Sequence, residues 1–189
     1  PHRAVHAARC GGSGVPTLVR MSSDVVLRPA RTRDVAAIQA LVQPLAERRV
    51  LLQKEKVAYY EAIQEFVVAE DRAGTLLGFG ALHVMWEDIA EVRTLAVSEA
   101  ARGRGVGHRL LQELLEQARR LGVARVFCLT FEVDFFQAHG FEVMADQSAV
   151  DPNVYAELLR STDEGVAEFL DLARVKPNTL GNTRMILTL

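Results

Sequence analysis

Arg102-Gly103-Arg104-Gly105-Val106-Gly107 joins two segments of different periodicity: residues 91–97, which read as a strand, and residues 106–121, where apolar side chains recur at helical spacing. Three alternate glycines remove the Cβ atoms that would stop backbone amides from converging on an anion. The helix after them presents unpaired N–H groups and the positive end of its dipole. The joint therefore reads as a phosphate cradle, into which a diphosphate fits.

Two familiar glycine loops fail against these letters. The Walker pattern needs Gly-Lys-Ser/Thr after four spacers, and no such tripeptide occurs near the loop. The dinucleotide pattern G-x-G-x-x-G, begun at Gly103 or Gly105, requires a glycine where His108 or Leu110 stands. Arg/Gln-x-x-Gly-x-Gly/Ala does fit, as Arg102, Gly105 and Gly107, and in this the loop resembles the acetyl-CoA loop of the GNAT family of N-acetyltransferases. The flanks agree: Glu91-Val92-Arg93-Thr94-Leu95-Ala96-Val97 resembles the family's fourth strand, residues 124–131 its partner strand, and Phe136-Gln137-Ala138-His139-Gly140-Phe141 its short helix ending in Gly-Phe.

The likeness covers most of residues 25–144. It implies an α/β (α+β) fold, with a mixed, mostly antiparallel central sheet whose strands 4 and 5 splay apart, flanked by helices. It also implies acetyl-CoA as cosubstrate. Its diphosphate would rest on Arg102, Gly103, Arg104, Gly105, Val106, Gly107 and His108, its pantetheine along the backbone of Leu95, Ala96 and Val97 freed by the splay, with Phe136 beside it. Arg109 lies on the same turn; for His108 and Arg109 a solvated helix face is the bland alternative.

With 189 residues, 49% hydrophobic and 24% charged, the chain has the length for one core rather than two. A net charge of -2 and a pI near 6.3 give no general attraction to nucleic acid or to an anionic membrane. Cys10 and Cys128 make neither a disulfide framework nor a zinc spacing, so no metal is expected. No apolar stretch is long enough to cross a bilayer and the tail before Met21 lacks a secretory apolar core, which together suggest a cytoplasmic protein. Residues 1–20 read as a flexible upstream extension, with a targeting role as the alternative, and residues 21–189 as a single domain closed by short helices and a final strand.

Along that domain, residues 25–28 alternate as a first strand. Thr32 suits the N-cap of a helix with Val35, Ile38, Leu41, Val42 and Leu45 on its apolar face, and Pro44 near its end. A second helix is expected over residues 56–65, then a hairpin of residues 66–70 and 76–85 about the turn Asp71-Arg72-Ala73-Gly74. The helix after the glycine loop carries Val106, Leu110, Leu114, Ala118 and Leu121 as a core stripe and stops at Gly122. A short strand to Ala145, helices around residues 154–159 and 165–172, and a strand over residues 184–189 complete the chain.

Acetyl transfer to an amine needs a donor that polarises the carbonyl, a base for the ammonium and a proton for the departing thiolate. The resemblance implies a backbone N–H around Leu95 as donor and Glu91, at the start of the strand, as base, directly or through water. A solvated carboxylate at a strand end is the alternative. Alternation puts Glu91, Arg93 and Leu95 on one face, where Arg93 can either orient the glutamate or blunt its basicity. Many family members protonate the thiolate with a tyrosine where this chain has Phe136. Cys128, Tyr155 or a water are substitutes, and thiolate also leaves unaided.

Leu51-Leu52-Gln53-Lys54, the segments around Glu65, Glu91 and Val126, Gly165 to Leu172, Lys176-Pro177-Asn178-Thr179-Leu180-Gly181-Asn182 and Asn182-Thr183-Arg184 resemble bacterial N-acetylglutamate synthases of the short, single-domain type. That likeness implies L-glutamate as acceptor, direct transfer in a ternary complex, and the first step of arginine biosynthesis. Two carboxylates must then be held. Lys54, His83, Arg93, Thr183 and Arg184 are the candidates, against a solvated Lys54 and a satisfied core histidine at position 83. Glutamine, another amino acid or a protein N-terminus are alternative acceptors, and a non-catalytic acetyl-CoA sensor an alternative role. The C-terminal helices can cover the acceptor cleft or a second copy in a homodimer.

Overall fold

The computed structural model describes residues 24–48, 51, 54–144, 150–170, 172 and 181–189. Expectations for residues 1–23, for Leu52 and Gln53, and for residues 145–149, 171 and 173–180 lie outside them. The chain runs β1 (Val26–Pro29), α1 (Val35–Glu47), α2 (Lys56–Glu61), β2 (Phe66–Glu70), β3 (Leu76–Trp86), β4 (Ile89–Val97), α3 (Val106–Leu121), β5 (Arg125–Thr130), α4 (Val133–Gln137), β6 (Glu142–Val143), α5 (Pro152–Leu158), α6 (Glu164–Phe169) and β7 (Thr183–Thr188). The strands form one sheet in the order β1-β2-β3-β4-β5-β7-β6. Its β4–β5 junction is parallel and the others among the described residues are antiparallel.

Period-two alternation in the strands sorts their side chains into two layers. Val67, Ala69, Leu77, Leu82, Ala90, Val92, Val126, Cys128 and Met185 meet α3 on one face. On the other, Phe66, Val68, Phe79 and Ala81 meet α1 and α2, while Ile89 and Phe127 meet α5 and α6. The second face therefore carries two separate helical covers, and the middle strands pass between them.

α3 sits so close because its stripe of Val106, Leu110, Leu111, Leu114, Leu115 and Ala118 is buried against glycines. A Cβ on Gly80 would fall 2.9 Å from both Leu114 Cδ1 and Leu95 Cδ1, and one on Gly78 would fall 2.7 Å from the Ala96 carbonyl. Gly122, at φ 81°, ends the helix in the left-handed conformation that a side chain disfavours.

β4 is irregular on both of its edges. Its ladder with β5 runs from Ile89↔Arg125 to Val92↔Cys128 and stops, although β4 continues to Val97 and β5 to Thr130. Its ladder with β3 slips by one residue between the pairs Ala81↔Arg93 and Phe79↔Ala96, a bulge where Thr94 takes φ 55°. Thus β4 loses one neighbour and kinks against the other at the same place.

Several expectations are corrected. Thr32 is not the N-cap of the first helix: residues Thr32–Asp34 form a 3-10 turn, closed by the Arg31 N–H donating to Asp34 Oδ2 at 2.7 Å. Asp34 also takes two bonds from Arg28, which ties the start of α1 to β1. α1 runs through Pro44 and ends one turn later at Glu47, with Leu41 and Leu45 packed against the second core. The second helix breaks at Ala62 into α2 and a 3-10 turn, Ile63–Glu65. Among the described residues no helix is long and apolar enough to cross a membrane.

Candidate active site

β4 leads through a 3-10 turn, Glu99–Ala101, into the glycine loop. Gly103 and Gly105 adopt φ of 71° and 74°, and a Cβ built on either meets nothing within 4 Å. The loop is left-handed at both points and opens to free space. α3 begins with Gly105 as N-cap, with no side-chain cap and no acidic residue in its first turn. Its first bond is Arg109 N–H to Gly105 O at 3.1 Å. The amides of Val106, Gly107 and His108 therefore have no helix carbonyl to receive them and leave a local positive charge unanswered. Such a cradle suits a diphosphate. Arg102 and Arg104 flank it in solvent; Arg102 is tied to Glu99 at 3.3 Å with both side chains largely exposed, a weak restraint.

α4 closes the side of this loop. A Cβ on Gly107 would lie 3.6 Å from both the Phe135 ring and Val97 Cγ2. His108 packs on Phe135 and shares a 2.9 Å hydrogen bond with His139. Phe136, expected beside the coenzyme, is instead only 5% exposed and packs edge-on against Phe141 in the core. One position apart on a short helix, the two rings point to different layers, and it is Phe135 that meets the loop.

The bulge at Thr94 overturns one expectation outright. Leu95 does not share a face with Glu91 and Arg93: the inserted residue reverses the alternation, sending Leu95 and Val97 toward α3 and Ala96 toward α1. Before the bulge, Glu91 and Arg93 face the cleft between the two helical covers. After it, the backbone of residues 94–97 borders the gap where β5 no longer pairs.

In that cleft Arg93 joins two carboxylates. Its Nε and Nη2 donate to Glu91 Oε2 at 2.9 and 2.6 Å. Its Nη1 and Nη2 donate to Asp163 Oδ2 and Oδ1 at 3.1 and 3.0 Å, a bidentate grip across 70 residues of chain. Asp163 is the N-cap of α6 and also accepts from Val166 N–H. His83, paired with Glu91 across the ladder, bonds Glu65 through Nδ1 at 2.7 Å and comes within 3.8 Å of Asp163 Oδ2 through Nε2. His83 and Glu65 also border a groove of about 430 Å³ along the edge of β3 beyond its pairing with β2.

Glu91 is not a surface carboxylate; it is 6% exposed. Burial pushes its proton affinity up, with the Arg93 guanidinium opposing and Asp163 adding to the rise. Burial works to raise Asp163, but the bonds and charge of Arg93 together with the Val166 N–H hold it below the usual carboxylate range. α6 presses on the site through Gly165, whose missing side chain makes room: a Cβ there would overlap Glu91 Oε2.

The remaining candidates are more scattered. Lys54 borders a cavity of about 350 Å³ with Tyr59 of α2 and Gln39 of α1 and acts on Glu91 through its charge. Arg184 lies on β7, on the α6 side, where its Nη2 donates to Phe169 O at 2.7 Å at the end of that helix. Thr183 pairs with Thr130 and faces the other way. Cys128 is buried among the α3-facing residues, opposite Glu91, and burial pushes its thiol up. Tyr155 packs into the cluster beneath α5 and α6. Asp163, Gly165 and Glu65 do not stand out as site residues in the sequence, since an Asp before a short apolar run signals a helix cap and nothing about a partner on β4. Among the described residues, no group of three or more His, Cys, Asp and Glu is placed to hold a metal ion.

A family model described as the acetyltransferase (GNAT) family matches residues 36–141. An amino-acid acetyltransferase of Mycobacterium tuberculosis is 52% identical over 166 residues, 87% of this chain and 94% of that protein. An amino-acid acetyltransferase of Neisseria meningitidis is 33% identical over 136 residues, 71% of this chain but 31% of the longer relative. Among solved structures, a Mycobacterium tuberculosis protein in complex with CoA and NLQ superposes with a TM-score of 0.82 at 52% identity, covering 87% of this chain and 99% of that one. The N-acetylglutamate synthase of Neisseria gonorrhoeae complexed with coenzyme A and N-acetyl-glutamate superposes with a TM-score of 0.70 at 27% identity, over 87% of this chain and 35% of that one.

Proposed function

The chain belongs to the acetyltransferase (GNAT) family, and we propose that it carries the acetyl group of acetyl-CoA to the α-amino nitrogen of L-glutamate, the first step of arginine biosynthesis. The observation that carries this reading is the 52% identity, over nearly the full length of both chains, to a protein named for acetylating amino acids. The synthase of similar fold, solved with coenzyme A and N-acetyl-glutamate, supports glutamate in particular.

On this reading the coenzyme diphosphate rests on the amides of Gly103 and residues 105–108 with Arg102 and Arg104 as counter-charges. The pantetheine runs along residues 95–97 in the gap beside β5. The thioester oxygen takes a hydrogen bond from a β4 amide at Leu95, a fixed dipole that needs no reorganisation as negative charge develops. The acceptor enters from the cleft between the helical covers. Glu91 takes the ammonium proton, directly or through water. The freed amine attacks the thioester carbon, and the tetrahedral intermediate expels the coenzyme as thiolate. Phe136 and Cys128 are both core residues, so thiolate leaves unaided or takes its proton from water.

Arg93, His83 and Lys54 are the basic side chains nearest Glu91 for a substrate carboxylate, with Arg184 farther along β7. Arg93 is already held by Glu91 and Asp163, and a substrate carboxylate would reach it by exchanging with Asp163. The same crowding of carboxylates favours a second reading, L-glutamine, whose neutral side chain adds no further negative charge. Release of free coenzyme thiol with a panel of amines tests both. Glutamate or glutamine should exceed other amino acids and N-terminal peptides by at least about tenfold in kcat/KM. Equal turnover across the panel would sink the amino-acid reading, and no turnover with any amine would favour a sensor.

A further inference from the structure

Glu168 is a buried acid with no task in the acetyl transfer. It is 8% exposed, and it takes no hydrogen bond and no ion pair from another described residue. Its place on α6 shows what it faces. Gly165 lies against the Glu91 carboxylate, and Phe169 stacks edge-on over Phe127 with ring centroids 5.3 Å apart. Phe127 is the β5 residue paired with Glu91. Residues three and four apart share a helix face, so the face of α6 bearing Gly165, Glu168 and Phe169 lies over Glu91 and its neighbour.

The charged groups around this point are Glu91 and Arg93 from β4, His83 from β3, Glu65 before β2, Lys54 before α2, Asp163 and Glu164 at the start of α6, and Arg184 from β7 beyond its far end. Arg93 is one cation shared by Glu91 and Asp163, and His83 is turned to Glu65. A third carboxylate beside them has no cation left within bonding reach among the described residues. Burial, then Glu91 and Glu164, push Glu168 up to about 7, in keeping with a carboxyl that retains its proton.

We propose that Glu168 is a positioning residue for Glu91: on the face of α6 laid over Glu91, Glu168 keeps its proton and so leaves Glu91 the ionised member of the pair, ready to receive the proton released by the acceptor's ammonium. That second proton then passes from Glu91 to solvent as product leaves, returning the pair to one proton. The proposal rests on Glu91 being the base.

The test is the pH dependence of kcat/KM by thiol release, with glutamate and glutamine as acceptors, for the wild-type chain, Glu168→Gln and Glu91→Gln. Glu168→Gln removes the second carboxyl and keeps its shape. The acid limb, set by Glu91 beside a neutral neighbour in both chains, should stay in place, whereas the wild-type profile should bend near pH 7 as Glu168 ionises beside Glu91, a bend absent from Glu168→Gln, with KM for acetyl-CoA unchanged. Superposable profiles for wild type and Glu168→Gln, with Glu91→Gln inactive, would overturn the pairing while leaving the base in place. Full activity in Glu91→Gln would instead overturn the base, and the pairing with it. Should Glu168→Gln not fold, a carboxyl ¹³C NMR titration of the wild-type chain decides: two coupled, biphasic glutamate transitions support the pair, and independent single transitions refute it.

Discussion

Glu91 carries the most consequence of any single residue. Replacing it with glutamine keeps its volume and removes its capacity to accept a proton, so kcat should fall by about 10² to 10⁴ while coenzyme affinity, measured by calorimetry, stays within about threefold. A matching loss of affinity would place Glu91 in the binding of the coenzyme instead. Gly165 gives a sharper geometric test. Any side chain there collides with the Glu91 carboxylate, so Gly165→Ala should displace α6 or tilt the glutamate. An expected cost of roughly 1–3 kcal/mol in urea unfolding should come with a larger fall in kcat than in coenzyme affinity. Neither effect is visible in the letters, because Glu91 and Gly165 are separated by most of the fold.

At the scale of elements, the bounds of the glycine loop and α3 are legible in the sequence: Val106–Leu121 is the helix, with Gly105 before it and Gly122 after it, although Leu121, expected in the core stripe, is 63% exposed at the helix end. Local physics suffices there, since a stripe of leucines and two left-handed glycines mean the same thing in any surroundings. For that reason Gly105→Val should cost affinity for acetyl-CoA by at least about tenfold, alongside roughly 1–3 kcal/mol of stability from a β-branched residue strained at φ 74°. A drop in stability alone, with affinity preserved, would argue against the cradle. β4 is legible as a strand, but its irregularity is not. The bulge at Thr94 depends on how β3 and β5 pair with it, and no period in one strand reports on its neighbours. α6 is legible as a helix, whereas its partner across the cleft, Arg93, belongs to tertiary structure.

At the scale of the molecule, two charge clusters set opposite limits on stability against pH. Asp34 is held below its ordinary value by bonds from Arg28, working against burial. That stability is present above pH 3.8 and is lost as pH falls through the lower folded value. Glu168 is raised, so the folded chain holds a proton that the unfolded chain releases. Its contribution is full below pH 4.5 and is lost as pH rises to about 7. Thermal melts should therefore show greatest stability on the acid side of neutrality, and Glu168→Gln should flatten the decline between about pH 5 and 7.5. A decline of equal slope in the variant would assign it to other groups. The mixed, mostly antiparallel sheet and its two faces follow from alternation and the resemblance of the middle of the chain, whereas the insertion of β7 between β5 and β6 is tertiary. The contacts that tie β1 to α1, and α6 to β4, follow from charges far apart in sequence and close in space.

The kink in β4 makes one strand the shared wall of two rooms. On the proposed reading, residues upstream of Thr94 look into the room of the incoming amine and those downstream border the passage of the thioester, so both reactants are referred to a single rigid rail. Removing residue 94 would keep every functional letter yet turn the second half of the rail over, aiming Leu95 and Val97 at the wrong layer. That deletion should abolish turnover more completely than any exchange of the threonine for another side chain.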